Sequence, residues 1–406
     1  MTWKPRAWPS CHTSPINANE VGVTRTMLRS RSVLITGATG ILGSWVLNGA
    51  LHRGYRPTVL LRDKTMEGAQ KRLATVLHFL GRSHQADRIN IVLGDTSLPN
   101  LGLDADTTSR LRETIEMMIH CAASISFHPK HDEDIQRTNV QGVAEVLKLV
   151  GGAGIHLYHV STAFVAGKRR GLVLESESNV GQEFVNAYER SKCEAEGLVH
   201  AAINDGLVNA AIFRPAIIIG ATKTGRISQF QNFYSFLQLL DGALEGRLSG
   251  QNRVRIPANG FGTKNLAPVD WTAEALWHII DAEGPSGKTY HLTNPEPPTQ
   301  GGILEWANRI LEEVSFEPCM SLGKDLTRAE SLIRAALRNY SGYLHEEPVF
   351  DRTNTDRALG GKLPFPVFGP DFCGTLIEYA RKHNWRGIYA QELPVVKAGA
   401  VQSLAS

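Results

Sequence analysis

Cysteine is scarce in this 406-residue chain, and neither a CxxC pair nor a long apolar run occurs. The five cysteines, Cys11, Cys121, Cys193, Cys319 and Cys373, are odd in number and widely spaced. That pattern fits neither a disulfide framework nor a zinc site and suits a reducing compartment. No segment approaches the about 18–20 apolar residues needed to span a bilayer. A cytoplasmic protein is therefore expected, with peripheral membrane contact and oligomeric state left open. A surplus of one charge is also missing, because 43 Lys+Arg stand against 40 Asp+Glu. Even that small excess sits in Met1–Arg31, where five basic residues accompany one acidic, leaving 38 basic and 39 acidic residues for the remainder. A neutral body lacks the basic face that a nucleic-acid partner needs. No His, Cys, Asp or Glu cluster has metal-ligand spacing, so no metal is expected.

What the chain does contain is the composition of a globular protein, 42% hydrophobic and 7% aromatic, which argues against a disordered, collagenous or coiled-coil class. Residues 1–30 stand apart, with Pro5, Pro9 and Pro15, no periodicity and no apolar h-region. A disordered leader, or a start at Met27, is expected there rather than a secretory signal. From Arg31 short apolar runs alternate with helical patterns. The predicted strands are Ser32–Ile35, Thr58–Leu61, Asn90–Leu93, Met117–His120, Leu157–Val160 and Ala210–Phe213. The most evident predicted helices are Ile41–Arg53, Asp134–Val150 and Phe184–Asn204. The strands are continuously hydrophobic, as in a parallel sheet covered by helices on both faces. The expectation is an α/β, doubly wound Rossmann fold over 31–300, with ligands beyond the C-terminal strand ends. Substrate elements are expected from 221–264 and from 301 onward. Further along, the pattern predicts a strand at Asn265–Val269, a helix at Thr272–Asp281, a strand at Thr289–Leu292, a mostly helical substrate subdomain over 301–390, and a tail at 391–406.

The first predicted strand runs into Thr36-Gly37-Ala38-Thr39-Gly40-Ile41-Leu42-Gly43 and then into a helix. Gly37 permits a tight turn, Gly40 lets backbone amides approach a pyrophosphate, and Gly43 allows close helix–sheet packing. The helix N-terminus offers unpaired N–H groups to phosphates. Nineteen residues after Gly43 the second strand ends at Arg62, where a protein using NAD would more often carry an acidic residue. An Arg suits a 2′-phosphate, so NADP(H) is expected in preference to NAD(H). Lys64, Lys71 and Arg72 can add to that pocket, and the adjacent Asp63 can dilute it.

Farther on, the fifth strand ends in Ser161-Thr162, and Tyr188 and Lys192 are spaced i, i+4 in a helical pattern, so they share one face. An ammonium beside a phenol is expected to lower its pKa, making Tyr188 a proton donor near neutral pH. Thr162 can hydrogen-bond the same substrate oxygen.

These segments resemble the extended short-chain dehydrogenase/reductases over about Arg31 to Pro298. The resemblance implies that TGATGILG is the phosphate loop, with Thr39, Ile41 and Leu42 among its cofactor contacts. It implies an adenine contact at Asp95, a cofactor-lining segment at His120–Ala123 that includes Ala122, and a structural Asn at Asn139 that helps position Lys192. Pro215 and Ile217 fall in its later cofactor segment. Thr162, Tyr188 and Lys192 fall on its catalytic Ser/Thr, Tyr and Lys; Thr162 is preferred because it precedes Gly167 by five residues, and Ser161 remains the alternative. LLRD ending at Asp63, GDTSLPNLGL from Gly94, HVSTAFVAG from His159, FRPAIIIG from Phe213, APVDW from Ala267 and YHLTNPEP from Tyr290 are similar to the thioester reductase and fatty acyl-CoA reductase branch. Thr96 departs from that branch, which usually has Leu.

The resemblance implies reduction of an acyl thioester by NADPH to an aldehyde, and further to an alcohol if a second hydride follows. With no adenylation or carrier motif upstream, the acyl group is expected as a CoA ester or on a separate carrier protein. The Phe and Leu residues of Phe230–Leu244 either wall an acyl tunnel or pack a core. Lys168-Arg169-Arg170 either meets CoA or phosphopantetheine phosphates or is a solvated loop. Two rivals share these motifs: another short-chain reductase, epimerase or hydroxysteroid-type dehydrogenase, and a non-catalytic NADP(H)-binding regulator, which has no need of Tyr188 and Lys192.

Overall fold

The computed structural model describes residues 31–126, 129–242, 253–311, 314–337 and 346–390. The expected leader and tail lie outside the described residues, as does the end of the Phe- and Leu-rich stretch. Seven strands, β1 (Ser32–Thr36), β2 (Arg56–Leu61), β3 (Asn90–Leu93), β4 (Met117–His120), β5 (His156–Val160), β6 (Ala210–Pro215) and β7 (Thr289–Leu292), form one parallel sheet in the order β7-β6-β5-β4-β1-β2-β3. Their continuous hydrophobicity has a direct cause. Val33 and Ile35 enter the core on one face while Leu34 enters the core on the other, and Ile119 and Met118, or Phe213 and Ile212, divide in the same way. The strand order reverses between β1 and β4, which opens a crevice at their C-terminal ends.

On one face the helix Ile41–His52 packs with Val269–Glu283, whose Trp277 indole donates to the Val46 carbonyl at 3.0 Å. On the other face Asp132–Ile135, a π-helical segment Gln136–Gln141 and Gly142–Val150 run on as one rod beside Ala187–Asn204. That last helix starts later than the pattern from Phe184 predicts because Asn186 caps it. The Asn186 side chain accepts from Glu189 N–H at 3.0 Å, and the Glu189 carboxylate accepts from Val185 N–H at 2.9 Å. Reciprocal capping of this kind sets the helix boundary, and it leaves Tyr188 in the first turn. Two helices that no motif singled out, Met66–Leu80 and Ala105–Thr114, begin on Thr65 and Asp104 caps.

The substrate side is assembled from both halves of the chain. The strand Arg253–Pro257 pairs with Ser315–Cys319, and the helices Phe233–Gly242, Gln300–Leu311 and Arg328–Ala336 pack around that pair through Leu240, Leu304 and Ile333. The stretch after 301 is thus less helical than expected. Pro318 disguises Ser315–Cys319, since proline is tolerated in a strand only at an edge, here the edge of a two-stranded pair. Val349–Phe350, too short to show a period, pairs with Leu172–Val173 and returns the chain to the Rossmann body. There the buried Glu175 carboxylate accepts from His291 N–H at 2.8 Å, Thr355 Oγ1 at 2.7 Å and Asn354 N–H at 2.5 Å. Beside it Arg214 and Glu196 form an ion pair at 2.6 Å with both side chains fully buried. Among the described residues no helix is long and apolar enough to cross a membrane.

Candidate active site

The crevice at the β1/β4 reversal opens into one cavity of about 1690 Å³. A pocket for one small ligand holds roughly 300–1,000 Å³, so this one has room for two. Its floor is the loop after β1. Gly37 has φ +69°, and a Cβ there would lie 2.7 Å from Ala122 N and 2.8 Å from the Cys121 carbonyl carbon. Only glycine supplies that backbone without a clash. At Gly43 a Cβ would meet the Gly37 carbonyl oxygen at 2.1 Å, so this glycine brings the helix down onto the loop itself rather than onto the sheet. The first-turn N–H groups of Ile41–His52 consequently face the cavity as an anion cradle. These residues fit a dinucleotide pyrophosphate.

At the end of β2, Arg72 donates from Nη2 to Thr39 Oγ1 at 3.0 Å and from Nη1 to the Arg62 carbonyl at 2.6 Å. Arg62 itself is 74% exposed, its guanidinium 4.0 Å from Asp95, and Arg72 is 3.9 Å from Asp63. Asp95 also accepts from the Ser97 amide at 2.9 Å and hydroxyl at 2.7 Å. Arg62, Arg72 and Asp95 line the cavity together with Gly37, Thr39, Gly40, Ile41, Leu42, Gly43, Ala122, Pro215 and Ile217, whereas Lys64 and Lys71 do not.

Ser161, Thr162, Tyr188 and Lys192 all line this cavity. The Tyr188 phenol is hydrogen-bonded to Thr162, while the Ser161 hydroxyl is buried with no hydrogen-bond partner among the described residues. Lys192 is 2% exposed and donates from Nζ to the Val160 carbonyl at 2.8 Å. The electrostatics differ from expectation. Burial pushes Tyr188 up to about 12, only partly opposed by its bond to Thr162, and pushes Lys192 down to about 8. The ammonium is spent on a backbone carbonyl rather than on the phenol, so Tyr188 is a neutral hydrogen-bond donor near neutral pH. Asn139 lies outside the cavity wall. It clamps the chain after β4, accepting from Ser124 N–H at 2.8 Å and donating to the Ser124 carbonyl and Ser191 Oγ, each at 2.9 Å. Its link to Lys192 therefore runs through the neighbouring Ser191.

The far end of the cavity is apolar, lined by Phe233, Phe236, Leu239, Ile303, Leu304 and Ile333. Phe233, Leu237 and Leu240 are buried in cores, so the Phe- and Leu-rich helix both packs a core and walls the cavity. Lys168, Arg169 and Arg170 are each paired with a carboxylate, Glu183, Glu177 and Glu346 respectively, and none lines the cavity. The solvated-loop reading of that run holds in the structure.

With this geometry in place, residues 35–276 match the male sterility protein family. The chain belongs to that family. Membership makes it an extended short-chain dehydrogenase/reductase with an NAD(P)-binding domain, on the thioester reductase branch. A nonribosomal peptide synthetase of Aspergillus flavus is 26% identical over 368 residues, 82% of this chain but 34% of that protein. A carboxylic acid reductase of Mycobacterium tuberculosis is 25% identical over 339 residues, 75% of this chain and 28% of that protein. The chain thus spans about a third of the length of these relatives. The solved terminal R domain from the myxalamid PKS-NRPS biosynthetic pathway superimposes with a TM-score of 0.75 at 25% identity, covering 87% of this chain and 91% of that one.

Within this male sterility family member, two cavity residues belong to no sequence motif. Lys264 sits in the wall, buried and paired with Glu347 at 2.6 Å, and Tyr389 donates its phenol hydrogen to the Thr39 carbonyl at 3.0 Å. Neither carries a local signal, because each partner is remote in sequence. No group of three or more His, Cys, Asp or Glu able to hold a metal occurs among the described residues.

Proposed function

We propose that the chain is an NADPH-dependent reductase of acyl thioesters, delivering an aldehyde. The observation that carries this reading is the Thr162–Tyr188 hydrogen bond beside buried Lys192, midway along a cavity that runs from an anion cradle to an apolar end. A bound nicotinamide dinucleotide supplies the hydride. The cradle of Ile41–His52 receives its pyrophosphate, and Arg62 and Arg72 favour a 2′-phosphate over a bare ribose. Tyr188 and Thr162 donate hydrogen bonds to the thioester oxygen as negative charge develops there. A phenol held at about 12 keeps its proton until the oxygen becomes basic enough to take it. Collapse of the resulting hemithioacetal releases aldehyde and thiol. The apolar end takes the acyl chain, and the thiol portion is CoA or a carrier's phosphopantetheine arm. The likeness to a carboxylic acid reductase and a nonribosomal peptide synthetase supports a carbonyl-reducing role on carrier-bound acyl groups.

The test is NADPH oxidation measured across acyl-CoAs and acyl-phosphopantetheine thioesters, with the product identified. Thioester-dependent turnover to aldehyde is expected. Activity confined to nucleotide sugars or free ketones would replace this reading with that of another short-chain dehydrogenase, and cofactor binding without any turnover would favour the regulator. Substituting Arg72→Ala should lower the preference for NADPH over NADH by at least about tenfold, given the worth of a hydrogen bond to a charged group; an unchanged ratio would remove the 2′-phosphate assignment.

A further inference from the structure

We propose that Tyr389 is a positioning residue of the dinucleotide site, pinning the phosphate loop in its binding shape from the far end of the chain. The inference rests on the dinucleotide reading of the cavity.

The Thr39–Gly40 peptide immediately precedes the helix whose free N–H groups form the anion cradle. Its N–H side is fixed by Gly40 N donating to the Gly37 carbonyl at 2.8 Å. Its carbonyl side is fixed by the Tyr389 hydroxyl at 3.0 Å. With both ends of one peptide plane held, the plane cannot flip, and the N–H groups that follow it keep their aim. Arg72 fixes the Thr39 side chain at the same point through Oγ1 at 3.0 Å, so Tyr389 and Arg72 hold two different atoms of one residue.

The strap that carries Tyr389 is itself anchored. After the helix Pro370–Lys382, the Trp385 indole donates to Asp241 at 3.1 Å, and Ile388 N donates to the Ser228 carbonyl at 2.9 Å. Gly387 lies so close to the 228–229 segment that a Cβ would sit 2.8 Å from the Ser228 carbonyl oxygen. These contacts seat Tyr389 on substrate-side elements, so it reports their position to the cofactor loop.

A pyrophosphate is common to both nicotinamide dinucleotides, so the pinned peptide serves both. Dissociation constants for NADPH and NADH, measured on the full chain by titration calorimetry, are the test. Tyr389→Phe removes the hydrogen bond and keeps the ring, and should weaken both cofactors by a similar factor of about 2 to 12, what one hydrogen bond is worth. Tyr389→Ala should weaken both further. Arg72→Ala, which frees the Thr39 side chain as well as removing the guanidinium, should weaken NADPH more than NADH. If Tyr389→Phe and Tyr389→Ala bind both dinucleotides as the unaltered chain does, the proposal is overturned. It is equally overturned if the substitutions lower cofactor-free thermal stability while the folded protein keeps its affinities, since Tyr389 would then serve only packing. Failure of the unaltered chain to bind either dinucleotide would instead overturn the cofactor reading beneath it.

Discussion

Replacing Thr162 and Ser161 one at a time should separate the hydroxyl that acts on substrate from the one that does not. Thr162 shares a hydrogen bond with Tyr188, whereas the Ser161 hydroxyl, although in the same cavity, has no hydrogen-bond partner among the described residues. Losing one donor from a site where an oxyanion forms costs about 2.7–4 kcal/mol, or roughly 10²–10³ in turnover. Thr162→Val should therefore cut kcat by that factor with little change in the dinucleotide dissociation constant. Thr162 also caps the 3₁₀ turn Ala163–Ala166, its Oγ1 accepting from Phe164 N–H at 3.3 Å, so the same variant should lose about 1 kcal/mol of stability. Thr162→Ser restores both hydroxyl functions and should recover most of the activity and the cap. Ser161→Ala should change kcat by less than about threefold, since it leaves the Thr162–Tyr188 hydrogen bond in place. Steady-state kinetics with the preferred thioester, beside denaturant unfolding of each variant, checks the set. A large loss in Ser161→Ala with near-normal Thr162→Val would refute the assignment and make Ser161 the acting hydroxyl.

Three further outcomes are expected. Because burial holds Lys192 at about 8 and Tyr188 at about 12, the alkaline limb of the kcat/KM profile should fall near pH 8. A limb appearing only near the phenol value would show that the lysine charge is not required. The sign for stability is opposite to that of a salt-bridged lysine: the folded value lies below the ordinary 10.5, so the buried cation costs stability at pH below about 8 and the cost is relieved as pH rises toward 10.5. Arg214→Met leaves the fully buried Glu196 carboxylate without its guanidinium and should cost about 3–5 kcal/mol in denaturant unfolding; a loss under 1 kcal/mol would show that the pair is readily replaced. Gly37→Ala must place a methyl 2.7 Å from Ala122 N at φ +69°, and should raise both dinucleotide dissociation constants by about 5- to 160-fold, as a strain of about 1–3 kcal/mol implies. Unchanged titrations would mean the loop yields without consequence.

How far the fold could be read in advance depended on how far apart the interacting residues lie. The sheet was legible because each strand is buried on both faces, so runs such as Ser32–Thr36 and Met117–His120 carry an unbroken apolar signal. The phosphate loop and the Tyr188/Lys192 spacing are local patterns, and the structure places them in one cavity. Lys264 with Glu347, and Tyr389 with Thr39, are contacts across 83 and 350 positions, which no period or motif encodes. The direction of the Tyr188 shift is not legible in the sequence for a related reason. Spacing on a helix tells which side chains share a face, whereas the Val160 carbonyl that takes the Lys192 ammonium comes from a different strand. The start of the Ala187–Asn204 helix is itself legible, since an Asn followed three residues later by Glu189 marks a helix start.

The buried carboxylate of Glu175 sets an order of assembly. Its partners Asn354 and Thr355 lie 179 and 180 positions later. At about 5–20 residues per second of synthesis, the loop carrying Glu175 waits roughly ten to forty seconds for the groups that complete it. Throughout that interval the Glu175 carboxyl lacks the Asn354 and Thr355 donors that satisfy it in the folded chain. This buried polar cluster is thus completed only after the chain has returned from the substrate side. A ribosome stalled between these two points would display the Gly37–Gly43 loop without Tyr389 to pin it, and should bind dinucleotide more weakly than the completed chain.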